Sequence, residues 1–225
     1  MLETASLKAA LFTVMLSATT MACVATGAPA DQWADAMAAF DRKDREQPAP
    51  ANAIVFVGSS SIGGWDLDRF FPDLPAINRG FGGSQIIDSV NHADLLVIRH
   101  KPRVVVFYAG DNDLAAGKSP EEVAGDFRTF VAKVHASTPE TRILFIGIKP
   151  SISRWSLIGN VRKANQLIRN FSESDDRLGF VDVDAPMLGW DEKPRKELLA
   201  EDGLHLTEKG YELWTILVRP FLDTP

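Results

Sequence analysis

The chain has 225 residues, of which 45% are hydrophobic and 24% charged, with a formal net charge of -6. That length and apolar content suit one globular domain with an ample core, and neither disorder nor a second full domain is required. The acidic balance and the lack of a Lys/Arg cluster exclude the basic surface that nucleic acid demands.

Ala9 to Ala22 form an apolar run that follows Lys8. It is short for a bilayer span and sits where the hydrophobic region of a secretory signal would, so the chain is expected to be exported, to the periplasm or outside the cell, with no transmembrane segment in its mature form. A buried first helix is the alternative. Two cleavage points are open. Ala28-Pro29-Ala30 fits a cut before Asp31, giving a signal peptide over 1–30 and a domain over 31–225. Cys23, the single cysteine, follows Ala22 and fits a lipoprotein signal over 1–22 with a lipid anchor on Cys23. One cysteine allows no internal disulfide.

Trp33, Met37 and Phe40 recur at helical spacing, and Pro48-Ala49-Pro50 ends that amphipathic helix, which is expected to cover a sheet. Ala53 to Val57, Ala76 to Arg79, Val104 to Tyr108, Ile143 to Ile148 and Phe180 to Val183 read as strands. All but the second are almost continuously apolar, the pattern of parallel strands buried on both faces. Helices fill the intervals. Ser84 to Val97 carries Ile86, Ile87 and Val90. Ser119-Pro120-Glu121-Glu122 is a capping box with Pro at the first helical position, followed by Val123, Phe127, Val131 and Val134 on one face. Val161, Ala164, Leu167, Ile168 and Phe171 mark the next helix; Thr207 caps the last, which points Tyr211, Trp214 and Val218 inward. This alternation predicts an α/β fold, a three-layer α/β/α sandwich around a mainly parallel five-stranded sheet of flavodoxin-like type.

Ligands in such sheets bind beyond the carboxyl ends of the strands. Three polar, glycine-bearing segments fall there: Gly58-Ser59-Ser60-Ser61, Gly80-Phe81-Gly82-Gly83-Ser84 and Gly110-Asp111-Asn112-Asp113. Near the C-terminus stands Asp202-Gly203-Leu204-His205. An acid three residues before a histidine can hold the imidazole's tautomer, and a serine on a glycine turn can present its hydroxyl to that base. Together they propose a serine hydrolase.

The order Gly-x-Ser, Asn-x-Gly-x-Gly-Gly, Gly-x-Asn-Asp and Asp-x-x-His resembles the SGNH (GDSL-type) hydrolase family, from Val55 to Leu222. The resemblance implies an esterase or acyl hydrolase that uses no metal or other cofactor and acts on an acyl-ester substrate. It makes Ser60 the nucleophile, with Asp202 and His205 completing a triad. Ser60 N–H, Gly83 N–H and the Asn112 side-chain amide would be the oxyanion-hole donors, each worth about 2.7–4 kcal/mol in the transition state. The chain departs from the family at Ser59, where Asp is usual. Of three consecutive serines, Ser59 and Ser61 are the alternative nucleophiles; the Gly-x-Ser-x-Gly elbow of α/β-hydrolases is absent because Ile62 follows Ser61. A carbohydrate O-acetylesterase of the cell envelope is one alternative function, and a catalytically inactive carbohydrate-binding module is another.

Several features admit plainer readings. Asp111, Asn112 and Asp113 could face a cation, though nothing completes a ligand set. Lys149, Pro150, Arg154 and Trp155 follow the fourth strand and could line the substrate site or form a surface loop. Trp65, Phe70 and Phe71 could shape an acyl pocket, but core packing is their expected role. Trp190 is open to either reading. His92, His100 and His135 have no spacing that builds a metal site and are expected to be structural.

Overall fold

The unbroken β-branched run Val104-Val105-Val106 leaves no polar face, so its strand has to lie inside the sheet with layers on both sides. A computed structural model, which describes residues 31–222, places it there. The five strands are β1 (Ile54–Gly58), β2 (Ala76–Gly80), β3 (Val104–Tyr108), β4 (Arg142–Ile146) and β5 (Leu178–Val181). They pair in the order β2-β1-β3-β4-β5, and every pairing is parallel. The chain runs outward from β1 to β2, then crosses back past β1 to β3, so the topological switch lies between β1 and β3.

Alternate strand residues face opposite layers. Val55, Val57, Val105, Phe107, Ile143 and Phe145 pack under α1 (Ala34–Glu46), α4 (Ile86–Asn91), α5 (Ala93–Leu96), α7 (Pro120–Ser137) and α8 (Ile158–Ser172). Ile54, Phe56, Val106, Tyr108, Leu144 and Ile146 pack on the other side with Trp65, Phe71 and the Tyr211, Trp214 and Val218 stripe of α9 (Glu208–Leu222). The remaining short helices are α2 (Ser60–Gly63), α3 (Leu67–Phe70) and α6 (Asp111–Ala115). The result is the three-layer sandwich that the sequence predicts.

Specific contacts account for the shifted boundaries. The helix expected over 84–97 is two helices broken at His92, whose backbone N–H bonds both to Asp88 O and to Val90 O. The fourth strand stops before Ile148 because Asn165, buried on α8, takes both backbone groups of Ile148: its Oδ1 accepts from the Ile148 N–H at 2.8 Å and its Nδ2 donates to the carbonyl at 2.9 Å. The fifth strand lies two residues earlier than expected, and it is half-buried rather than enclosed because, among the described residues, it is a sheet edge with β4 as its one neighbour. Trp65 and Phe71 are buried beside Phe56 in the core. The expected signal segment and Cys23 lie outside the described residues.

A buried charge cluster fastens α1 to the sheet. Arg79 on β2, 1% exposed, pairs with Asp44 of α1 and donates to Asn78 O at 2.9 Å. Arg99 Nη1 and His100 Nε2 each lie 3.5 Å from the second oxygen of the same carboxylate. Burial lowers the His100 pKa, and Arg79 and Arg99 add to the effect against the opposing pull of Asp44. A histidine held neutral in the fold takes up its proton more readily when unfolded. Stability contributed by His100 is therefore present above the ordinary imidazole value of about 6.5 and is lost as pH falls through it.

Two outcomes are expected. Asp44→Ala leaves Arg79 buried without its counter-ion and should lower the unfolding free energy by about 3–5 kcal/mol in urea titrations. His100→Gln should flatten the fall in stability as pH drops below about 6.5, measured as the urea midpoint against pH; an unchanged slope would assign that acid sensitivity to other groups.

Candidate active site

The Asp202 to His205 turn is set by backbone geometry before any catalysis is considered. Gly203 sits at φ +66° and lets the chain reverse, its N–H bonding back to Ala200 O at 2.9 Å. Asp202 Oδ1 then accepts from the N–H groups of Leu204 (2.9 Å) and His205 (3.0 Å). Its Oδ2 lies 2.5 Å from His205 Nδ1. The imidazole contact, followed by the two backbone donors, holds the Asp202 carboxyl well below the usual carboxylate range. An ionised carboxylate only accepts, so Nδ1 carries the hydrogen, and in the neutral ring Nε2 then keeps the lone pair. That Nε2 is 3.1 Å from Ser60 Oγ.

Ser60 reaches this position through a backbone crossing. Gly58 ends β1 at φ +137°, and a Cβ there would lie 1.9 Å from the Tyr108 carbonyl of β3. Ser59 N–H bonds to the same carbonyl at 2.9 Å, after which the chain turns into α2. The turn buries Ser59 and Ser61 at 0% and 1% exposure and leaves Ser60 between them partly exposed. Of the three serines, only Ser60 meets the imidazole. Neither Ser59 Oγ nor Ser61 Oγ has a hydrogen-bond partner among the described residues.

The second segment is stitched to the first. Asn78 on β2 donates to the Ile62 and Trp65 carbonyls (2.7 and 3.0 Å), and its Oδ1 accepts from Gly80 N–H at 2.8 Å. Phe81 N–H and Ser84 Oγ–H both donate to Gly58 O, at 2.9 and 3.3 Å. Gly82 and Gly83 are exposed; a Cβ on Gly82 would lie 3.8 Å from Ser60 Cβ, so this backbone passes alongside the nucleophile candidate. Gly83 is at φ +81°, a conformation that costs glycine little. Trp33, at the start of α1, packs edge-on to Phe81 with ring centroids 5.0 Å apart and stands 3.7 Å from where a Gly83 Cβ would be. The helical periodicity of Trp33 signals sheet cover, but its placement beside this loop depends on the α1 docking contacts.

The third segment supplies Asn112 on α6. Its Nδ2 donates to Ser84 O at 3.0 Å, which ties α6 to the glycine loop. Asp113 reinforces the tie by accepting the Ile86 N–H with both oxygens at 3.2 Å, and Lys118 pairs with it at 3.0 Å. Burial raises the Asp113 pKa against the pull of Lys118. The loop after β4 closes the other side, with Ile152 N–H and Ser153 N–H bonding to Gly203 O at 2.9 and 3.1 Å. Lys149 is buried in that loop, and Arg154 bonds to Asn112. Both were open to a surface-loop reading; the structure turns them inward.

Ser60, Gly83, Asn112, Asp202 and His205 thus converge from four separate stretches of chain. Asp111 is turned away from any cation role by Lys149 and Arg154, each 3.2 Å from its Oδ2, and no cluster of metal-ligating side chains occurs among the described residues. Beside the dyad is an open hollow of about 400 Å³, lined by residues that include Ile152, Ser153, Lys196 and Asp202. A hollow of about 550 Å³ lined by Lys101, Arg103, Thr138 and Arg142 lies at the opposite ends of the strands, away from this chemistry.

A doubly wound parallel sandwich with an acid, an imidazole and a hydroxyl aligned at its switch point defines the class of the protein. The chain belongs to the GDSL-like Lipase/Acylhydrolase family, whose model matches residues 58–213. Among solved structures it is similar to a proposed acylhydrolase from Bacteroides fragilis (22% identity, TM-score 0.74, covering 86% of this chain and 98% of that one). A GDSL-like lipase from Bacteroides thetaiotaomicron matches at 21% identity and TM-score 0.69, over 83% and 98% of the two chains. A family 3 carbohydrate esterase from Clostridium thermocellum matches at 18% identity and TM-score 0.61, over 76% and 96%. Comparison with curated protein sequences finds no match.

Ser59, where the family usually has Asp, now has a measurable consequence. Its hydroxyl is buried and unpaired, so Ser59→Ala should leave stability unchanged or raise it by up to about 1 kcal/mol. Ser59→Asp would place a carboxylate where the buried hydroxyl finds no hydrogen-bond partner among the described residues and should lower the thermal midpoint, as differential scanning calorimetry of both variants would show.

Proposed function

We propose that this protein is an exported serine esterase that cleaves carboxylic esters through an acyl-enzyme. The observation that carries the reading is the continuous chain from Asp202 Oδ2 through the imidazole to Ser60 Oγ, at 2.5 and 3.1 Å. Serine at its own pKa is a poor nucleophile, and a neutral imidazole within hydrogen-bond reach removes that obstacle. His205 Nε2 takes the hydroxyl proton as Ser60 Oγ attacks the ester carbonyl. Asp202 keeps the tautomer and stabilises the imidazolium.

Negative charge then grows on the former carbonyl oxygen. The Ser60 N–H, at the first position of α2 where no intrahelical acceptor exists, is one donor to it. Gly83 N–H and the second Nδ2 hydrogen of Asn112 are the others. The intermediate collapses as His205 returns the proton to the departing alcohol. Water, deprotonated by the same imidazole, attacks the acyl-Ser60 carbonyl to release the acid and restore Ser60.

Asp202 and His205 are about half exposed, at 48% and 47% of their side chains, which favours acyl groups carried on a large or polymeric alcohol over deeply buried lipid chains. A carbohydrate O-acetylesterase acting on envelope polymers is the specific form of this reading, and the likeness to a carbohydrate esterase fold supports it. An inactive binding module is disfavoured because every role has a chemically competent residue in place. Export rests on the apolar N-terminal run; the mass of the mature N-terminus separates lipidation at Cys23 from a cut after Ala30.

The test is hydrolysis of p-nitrophenyl esters of increasing acyl length and of acetylated glycans, with fluorophosphonate labelling of the serine. Ser60→Ala should abolish turnover and labelling, whereas Ser61→Ala should retain both. Asp202→Asn should cost about 10³- to 10⁴-fold in kcat by favouring the wrong tautomer. Full activity in Ser60→Ala would eliminate the assignment.

A further inference from the structure

Asn112 is held at both ends of its amide. Nδ2 donates one hydrogen to Ser84 O at 3.0 Å, and Oδ1 accepts from Arg154 Nη2 at 2.9 Å. An amide nitrogen has two hydrogens, so one remains for the substrate oxygen. The geometry has a failure mode: an amide that turns over presents its carbonyl, which would repel the negative charge forming on the substrate. Arginine has donors and no acceptor, so it can bind the amide oxygen and cannot bind the amide nitrogen. Its presence selects one of the two orientations.

Arg154 is itself immobilised. Nη1 lies 3.2 Å from Asp111 Oδ2, which also faces Lys149 Nζ at 3.2 Å, and Lys149 Nζ bonds to the Tyr108 hydroxyl at 3.0 Å. The other Asp111 oxygen accepts the backbone N–H of Asn112 at 3.1 Å. Asp111 and Lys149 side chains are 8% and 1% exposed, against 22% for Arg154. Burial acts against the Asp111 carboxylate, but Lys149 and Arg154 outweigh it and keep its pKa below the usual value. Two cations therefore share one anion, and one of them, Arg154, meets the amide oxygen. A charged donor there also draws electron density from the amide and strengthens Nδ2–H as a donor.

We propose that Arg154, clamped by Asp111, is a positioning residue of the oxyanion hole that fixes and polarises the Asn112 amide. The proposal rests on the serine-esterase reading and adds a residue that contacts neither Ser60 nor the imidazole among the described interactions. It accounts for an arginine turned inward from the loop after β4. It also predicts a role confined to the transition state, because a neutral ground-state carbonyl gains far less from the hole than an oxyanion does.

The experiment is a double-mutant cycle on the full chain, with p-nitrophenyl acetate turnover and the second-order rate of fluorophosphonate labelling at Ser60 as readouts. Arg154→Met should lower kcat by about 10- to 100-fold, the range typical for loss of a supporting hydrogen bond, while KM changes less than about twofold. In an Asn112→Ala background the same substitution should cost less than about twofold, because the group it positions is gone. Labelling should slow in parallel. Arg154→Lys keeps the charge but cannot span Asp111 and Asn112 together, and it should fall between wild type and Arg154→Met; it carries the test if Arg154→Met fails to fold. Equal losses in both backgrounds, or a raised KM with unchanged kcat, would overturn the proposal while leaving the esterase reading intact. A wild-type protein that turns over no ester and takes no label would instead remove the esterase reading, and this proposal with it.

Discussion

The site depends on one close backbone approach, that of Gly58 to the Tyr108 carbonyl. Gly58 ends β1 with no room for a side chain, and its neighbours use the space: Ser59 N–H bonds across to β3, and the Gly58 carbonyl receives Phe81 N–H and Ser84 Oγ–H from the loop after β2. Three strand ends are thereby joined within a few residues. The Ser60 turn and the glycine loop are tied to one another through the Gly58 carbonyl. Any Cβ at Gly58 would force β1 and β3 apart at the point where the sheet changes direction.

Around that junction the fold sets three buried or half-buried charge clusters. Arg79 with Asp44 and His100 holds α1, and through it Trp33, against the glycine loop. Lys118 with Asp113 and Asp126 holds α6 to the start of α4. Lys149 and Arg154 with Asp111 back the Asn112 amide. Buried ion pairs return little net stability because desolvation offsets their attraction. Their common effect here is directional, since each fixes one of the segments that converge on Ser60.

Much of this was legible in the sequence, and for definable reasons. The apolar runs from Val104 and from Ile143 have no polar face to offer solvent, which marks them as enclosed parallel strands. Ser119-Pro120-Glu121-Glu122 is a local capping box, and the structure forms it with Ser119 Oγ accepting from Glu122 N–H. Asp202 and His205 interact over three residues, so spacing alone exposes their relation. Apart from the helix break at His92, the features not legible in the sequence involved partners distant along the chain. Asn165 ends β4 from 17 residues away, Asp113 reaches back 27 residues to Ile86, and Arg154 meets Asn112 across 42. Arg154 carried no local signal beyond being a charged residue after a strand; Asn78 did, since it stands in the Asn-x-Gly-x-Gly-Gly motif whose first residue stitches α2 to β2.

By itself the sequence determined the layer order, the parallel sheet and the acid–imidazole pair, because periodicity, capping and short spacing are properties of neighbouring residues. It also placed three glycine-bearing segments at strand ends, since parallel topology puts them on one edge. The resemblance carried by Gly-x-Ser singled out Ser60 among three adjacent serines, but only the tertiary structure supplied the physical reason that it faces the imidazole. The α2 turn buries the hydroxyls on either side of Ser60, and that depends on how the turn packs against β2 and β3, which no local pattern encodes. The tertiary structure alone decided that a loop arginine turns inward to hold the Asn112 amide, because only the folded chain brings Asp111 and Lys149 close enough to keep that charge in place.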